Sequence, residues 1–91
     1  MSSEQRSTFL LIVDPHFLED LKYWTEIDPK VALKVLTLVE HVSRDPFKGI
    51  GKPELLKALG VWSRRITQEH RLVYRVDSGR IYLLMCRYHY R

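Results

Sequence analysis

A single cysteine, Cys86, stands in 91 residues. It can form neither an internal disulfide framework nor a thiolate zinc site, which excludes a disulfide-stapled secreted fold. Long hydrophobic runs are missing as well. The longest near the start, Phe9 to Val13, has five residues, whereas about 18 would suggest a membrane span. That run is also too short for the apolar region of a signal peptide, and no small-residue cleavage site follows it. No membrane association is expected, and the cytoplasm is the expected home. No two histidines lie at i and i+4, and no acidic cluster has the pattern of a metal cage, so neither a metal nor another cofactor is expected. There is no internal repeat and no low-complexity segment. Lysine is absent beyond Lys57: every later basic residue is an arginine, at 64, 65, 71, 75, 80, 87 and 91.

What is present is a chain that folds. Hydrophobic residues make up 45% and charged residues 29%, ordinary globular usage that confines expected disorder to the polar extension Met1–Thr8. Residues 9–91 then form one domain with a thin core, at a size where burial by a partner adds to stability. Charge is split along the chain. Residues 1–46 carry 5 basic and 8 acidic side chains, and residues 47–91 carry 10 and 3, for net charges of −3 and +7. A half so basic suits a polyanion.

Periodicity sets the expected elements. Phe9–Val13 reads as a short buried strand. Asp14-Pro15 is a helix start, with aspartate capping and proline in the first turn; Phe17, Leu21 and Trp24 follow as one stripe. Asp28-Pro29 repeats that start. Val31, Val35, Leu38 and Val42, widened by Leu36 and Val39, give a second amphipathic helix that Asp45-Pro46 ends. Phe47–Pro53 is a glycine- and proline-punctuated loop, and Leu55, Leu56 and Leu59 suit a short helical turn. Beyond Trp62 the period changes to two. Trp62, Arg64 and Ile66 alternate with Ser63, Arg65 and Thr67, and Arg71–Val76 alternates again. Asp77–Arg80 has hairpin-turn chemistry, and Ile81–Tyr90 makes a final strand. The order β-α-α-β-β-β predicts an α+β domain with two helices on a mostly antiparallel sheet.

Candidate chemistry concentrates in the basic half. Arginine's planar fork binds phosphate bidentately and stacks on bases. Arg87-Tyr88-His89-Tyr90-Arg91, on an extended strand, sets Arg87 and His89 on one face and the two tyrosines on the other, an arrangement suited to single-stranded RNA. Each arginine taken singly is more often a solvated surface group, but the cluster favours nucleic-acid contact. His89 could serve as an exposed general acid. Glu54 lies between Lys52 and Lys57, whose charge keeps a carboxylate ionised for work as a base. By residue type alone, each is more commonly structural. His70 is read as structural, His16 and His41 as incidental, and Cys86 as core. Gly49-Ile50-Gly51-Lys52-Pro53 lacks the spacing and the Ser/Thr of a phosphate loop. Phosphate chemistry without metal remains open to RNA, which carries its own 2′-OH nucleophile. The protein then needs a base, cations for the phosphorane charge and an acid for the leaving 5′ oxygen.

Five ordered blocks sharpen this reading. They are Pro46-Phe47 with Gly49; Gly51-Lys52-Pro53-Glu54; Trp62-Ser63-Arg64-Arg65-Ile66-Thr67; Glu69-His70-Arg71-Leu72-Val73-Tyr74; and Cys86-Arg87-Tyr88-His89-Tyr90. Together they resemble the YoeB/Txe toxin family, within the RelE-like group of bacterial type II toxin–antitoxin systems, over nearly the whole chain. The resemblance implies a RelE-like β-α-α-β-β-β fold and a ribosome-dependent mRNA endonuclease that cuts in the A-site codon and stops translation. It implies Glu54 as general base, Arg71 as the phosphate-stabilising arginine and His89 as general acid. Lys57, Arg64, Arg65, Arg87, Tyr88 and Tyr90 are expected to hold RNA or support the site. It also implies a YefM/Axe-like antitoxin partner with an acidic tail, a possible homodimer, and repression of the operon with operator DNA contacted through the antitoxin. The chain departs from the family at Glu54-Leu55-Leu56-Lys57, where a proline usually follows the glutamate, and in a shorter connection, Ala58–Val61. Two alternatives stand beside the enzyme: a non-cleaving inhibitor occupying the ribosomal A site and, more weakly, a DNA-binding repressor, although no recognition helix stands out.

Overall fold

Two proline-led helices account for the first half of the chain in the computed structural model, which describes residues 9–88. The expectations for Met1–Thr8, His89, Tyr90 and Arg91 fall outside the described residues. Strand β1 (Leu10–Val13) leads directly into helix α1 (Pro15–Ile27). The Asp14 carboxylate accepts the His16 N–H at 2.8 Å, and Pro15 occupies the first turn, where its missing N–H costs nothing. Helix α2 (Pro29–Arg44) starts in the same way at Asp28, but without a side-chain cap. Its inward stripe is Ala32, Val35, Leu38 and Val42, with Val31 and Val39 half-buried against the core. Leu36, expected on that side, is exposed instead; Ala32 takes the inner position because the stripe runs one residue round from it.

The second half forms four strands: β2 (Glu54–Leu56), β3 (Val61–Arg65), β4 (Arg71–Asp77) and β5 (Arg80–Met85). The sheet order is β1-β5-β4-β3-β2. β1 pairs parallel with β5, and every other pairing is antiparallel. The chain therefore crosses over the helices from one edge of the sheet to the other and returns strand by strand. This is the expected α+β architecture, with two helices on one sheet and one short strand more than the periodicity had indicated. β1 is an edge strand and only half-buried, so the continuous apolar run Phe9–Val13 does not mark a central position.

Leu55 and Leu56 do not form a helical turn. They pair with Trp62 and Val61, and the chain reverses through residues 57–60, where the Gly60 N–H reaches the Leu56 carbonyl at 3.0 Å. The final strand also ends earlier than expected, at Met85. Two α1 side chains capture the backbone that would have continued it: Asp20 accepts the Cys86 N–H at 3.0 Å, and the Trp24 indole donates to the Cys86 carbonyl at 2.8 Å. With both groups satisfied sideways, no ladder extends through Arg87 and Tyr88.

The core lies between the helices and one sheet face. Phe17, Trp24, Val35, Leu38 and Val42 meet Ile66, Leu72, Tyr74, Ile81, Leu83 and Cys86. Among the described residues, no helix packs on the opposite sheet face. A register shift sets Tyr74 against Leu83 and Val73 against Met85, leaving Leu84 as the extra residue of a bulge. Among the described residues, no helix is long and apolar enough to cross a membrane.

Candidate functional site

Strand pairing assembles the site on the helix-free face. Glu54 stands opposite Ser63, Ser63 opposite Val73, and Arg65 opposite Arg71. Cross-strand partners project to the same side, so Glu54, Ser63, Arg65 and Arg71 share one face across three strands. Arg71 is the fixed member, with a side chain only 19% exposed. Its Nε donates to Ser63 Oγ at 2.8 Å and its Nη2 to the Lys52 carbonyl at 3.4 Å. The same Nη2 lies 3.8 Å from Glu54 Oε1, and that carboxylate is 62% exposed. An ion pair so open to water contributes at most about 1 kcal/mol. Ser63 and the Lys52 carbonyl therefore orient the guanidinium, and Glu54 stays available to a ligand. Arg65, exposed and directly across from Arg71, sets a second guanidinium on the same patch. Like charges in that relation destabilise a sheet, and an anion lying between them relieves the repulsion.

Arg64 points the other way. It is 0% exposed and acts as a strut for the loop before β2. Its Nε donates to the Tyr74 hydroxyl at 3.0 Å, Nη1 to the Ile50 carbonyl at 3.2 Å, and Nη2 to the carbonyls of Asp45 and Lys48 at 2.5 and 3.0 Å. The Tyr74 hydroxyl in turn donates to the Pro46 carbonyl at 2.6 Å. Burial pushes the Tyr74 phenol up from its ordinary value, partly offset by Arg64. The glycines of this loop serve the wrap around Arg64. Gly51 has φ +82°, and a Cβ there would lie 3.0 to 3.2 Å from Leu38, Arg64 and the Arg65 carbonyl. Of its two expected roles, Arg64 can fill only site support, because no RNA can reach a fully buried guanidinium. The loop it holds delivers the Lys52 carbonyl to Arg71 and places Glu54 on β2. A further tie, Arg65 N–H to the Gly51 carbonyl at 2.6 Å, fixes the same segment to β3.

The chain end closes the other side of the patch. The Arg71 N–H donates to the Tyr88 carbonyl at 2.8 Å, and the Tyr88 N–H donates to His70 Nδ1 at 2.7 Å. Tyr88 has φ +63°, in the left-handed region that costs a non-glycine residue about 1–2 kcal/mol. Such strain persists where surrounding contacts over-determine the backbone. Arg87 is half-buried rather than laid out along a strand. Its guanidinium carbon lies 3.6 Å from the Tyr23 ring centroid and 4.9 Å from that of Tyr88, and its Nη2 donates to the Tyr88 hydroxyl at 3.2 Å. The expected alternation of Arg87 against Tyr88 is therefore replaced by a stacked pair that ties the tail to α1. Lys57 is exposed in the turn after β2.

The structure thus gathers Glu54, Arg65, Arg71 and the Tyr88 backbone, and separates Arg64 from them. Ser63 and His70 join the site without having been singled out as functional. The alternation of Ser63 with Arg64 could have placed the serine beside Arg65. A depression lined by Asp14, His16, Leu84 and Met85 includes none of these cationic groups and offers no convergent charge. No group of three or more potential metal ligands occurs among the described residues.

Comparison with known proteins shows the family. A model of the YoeB-like toxin of bacterial type II toxin–antitoxin systems matches residues 13–90. Toxin YoeB of Mycobacterium bovis is 48% identical over 79 residues, which span 85% of this chain and 93% of that protein. Among solved structures, the YoeB dimer of Staphylococcus aureus superposes with a TM-score of 0.81 at 42% identity, covering 91% of this chain and 99% of that one. A heterotetrameric YoeB–YefM toxin–antitoxin complex of the same organism gives 0.78 at 42%, covering 90% and 98%. Two helices on a five-stranded mixed sheet are thus the fold of a small toxin domain of the YoeB kind. The chain belongs to the YoeB-like family and is the toxin of a type II toxin–antitoxin system.

Proposed function

We propose that this toxin is a ribosome-dependent mRNA endonuclease that cuts the A-site codon without a metal ion and so stops translation. The observation that carries the reading is the juxtaposition of the exposed Glu54 carboxylate with the Ser63-oriented Arg71 guanidinium, 3.8 Å apart on the open face. Glu54 takes the proton from an RNA 2′-OH, and the 2′ oxygen attacks the adjacent phosphorus. Arg71, with Arg65 beside it, meets the charge that builds on the phosphorane oxygens. The bond to the 5′ oxygen breaks, and that oxygen takes a proton from His89. The products are a 2′,3′-cyclic phosphate and a 5′-OH end. Tyr90, Lys57, Arg87 and Tyr88 position the RNA and support the site.

The ribosome is required because an exposed carboxylate and a shallow face cannot by themselves hold a flexible strand in line for attack. The partner is a YefM-like antitoxin whose acidic segment covers the basic face; net charge +7 on the second half favours fast capture. A homodimer, and operon repression with operator DNA contacted through the antitoxin, follow from the same kinship. All of this chemistry belongs in the cytoplasm.

The test adds purified protein to ribosomes holding a defined A-site codon and maps mRNA 5′ ends by primer extension, with ribosome-free mRNA and a Glu54→Gln variant alongside. A new end inside the codon, absent from both controls, is expected. Stalled translation with intact mRNA would replace the enzyme with an occluding inhibitor. The leucine that follows Glu54, where the family usually has a proline, makes that the reading to beat.

A further inference from the structure

His70 sits in the connection between β3 and β4 with its backbone fully engaged. Its carbonyl accepts the N–H groups of Ile66 and Thr67 at 2.9 and 3.1 Å, and its own N–H donates to Thr67 Oγ1 at 3.2 Å. The ring stands edge-on to Trp24, 4.7 Å between centroids at 80°, with the side chain 14% exposed. The Nδ1 lone pair of this firmly held histidine receives the Tyr88 N–H at 2.7 Å. Accepting there requires Nδ1 to be unprotonated, so the ring proton lies on Nε2, on the side of Glu69 Oε1 4.0 Å away. The next residue in sequence, Arg71, grips the other backbone group of Tyr88, donating its N–H to the Tyr88 carbonyl. Two consecutive residues, His70 and Arg71, therefore clamp both backbone groups of Tyr88 and hold it in its left-handed conformation.

We propose that His70 is a positioning residue of the reaction. Its Nδ1 fixes Tyr88, whose carbonyl receives the Arg71 N–H, and so holds the backbone from which the Arg71 guanidinium projects. This rests on the reading of Arg71 as the phosphate-stabilising residue. His70 touches neither substrate nor reacting atoms; it acts by removing freedom from the backbone paired with Arg71, because a guanidinium that meets the phosphorane charge must be held in place. Glu69, exposed and adjacent, is not needed for the clamp.

Three variants separate acceptor chemistry from packing. His70→Phe keeps a ring against Trp24 but cannot accept a hydrogen bond. His70→Asn puts a carbonyl oxygen near the Nδ1 position, and His70→Gln puts one near Nε2. Each is assayed for kcat and KM on programmed ribosomes, for melting temperature, and for exchange of the Tyr88 amide proton by NMR. In His70→Phe, kcat and Tyr88 amide protection are each expected to fall on the order of ten-fold, the effect of one lost hydrogen bond. KM should stay unchanged and the protein folded. His70→Asn should recover most of both, and His70→Gln little. Full kcat in His70→Phe, or equal rescue by asparagine and glutamine, would overturn the proposal. If the wild-type protein cut no RNA at all, the nuclease reading would fail instead, and an unprotected Tyr88 amide in the wild type would separately refute the clamp.

Discussion

Replacing Arg64 with leucine removes a guanidinium that donates to four acceptors: Tyr74 Oη and the carbonyls of Asp45, Lys48 and Ile50. Exchanging a whole buried polar cluster for apolar groups can be neutral, but here only the donor is removed and its acceptors remain. Breaking such an arrangement costs about 3–5 kcal/mol. Asp45, Lys48 and Ile50 lie in an exposed loop whose carbonyls can regain water, which favours the lower end, about 3 kcal/mol. Against a typical total of about 5–15 kcal/mol this is a large share. At about 4–8 °C per kcal/mol for a domain of this size, the melting temperature should drop by roughly 12–24 °C. Arg64→Lys retains the charge but not the fork, so it should recover less than half of the loss. Thermal denaturation followed by circular dichroism reads both. A leucine variant that melts within about 3 °C of the wild type would mean that the loop before Glu54 is not held by Arg64, and the account of how β2 is placed would fall.

Other consequences follow from the same contacts. Gly51→Ala forces a Cβ to within 3.0–3.2 Å of three neighbours at φ +82°, whereas Gly79→Ala, at φ +79° in open space, meets only the backbone cost of about 1–2 kcal/mol. Urea titration should find the first clearly more destabilising. Ser63→Ala leaves Arg71 without its 2.8 Å tether; cleavage should slow on the order of ten-fold with a melting loss of no more than about 1.5 kcal/mol, as kinetics and calorimetry together would show. The Cys86 thiol is pushed up to about 12 from 9.0, chiefly by burial and then by the Asp20 charge. Its pKa is raised on folding, so the stabilisation is complete below pH 9 and is lost as the pH rises from there toward about 12. Thiol-alkylation rates should accordingly stay near zero in the native protein at neutral pH and jump on unfolding.

Both helices were legible because Asp14-Pro15 and Asp28-Pro29 are local signals, needing only the residues that form them. The Asp77–Arg80 hairpin was legible for the same reason. β2 was not: Glu54–Leu56 is a strand only because Val61–Ser63 lies beside it, and three residues carry too little pattern to announce a pairing. The end of β5 was equally hidden. It is set by Asp20 and Trp24, which lie 66 and 62 residues away from Cys86 in sequence. At the site, composition pointed to the basic half, and family likeness singled out Glu54 and Arg71 among many charges. The pleat already contained the correction to Arg64, since a residue alternating with Ser63 and Arg65 shares its side with Trp62 and Ile66, the core side. Expecting arginines to face a polyanion obscured that signal. Ser63 and His70 act through hydrogen bonds to residues on other strands and on the chain end, and no spacing in the sequence encodes such partners.

The most direct test concerns the nucleophile. Ribosomes are programmed with an mRNA whose A-site codon carries a single 2′-deoxy nucleotide at the mapped cut, beside the all-ribose message. Attack by the 2′-OH, activated at the Glu54–Arg71 centre, predicts that the ribose message is cut to a 2′,3′-cyclic phosphate and a 5′-OH end while the deoxy message stays whole. Cleavage of the deoxy message at the same bond, or a ribose message cut to 3′-OH and 5′-phosphate ends, would contradict the account.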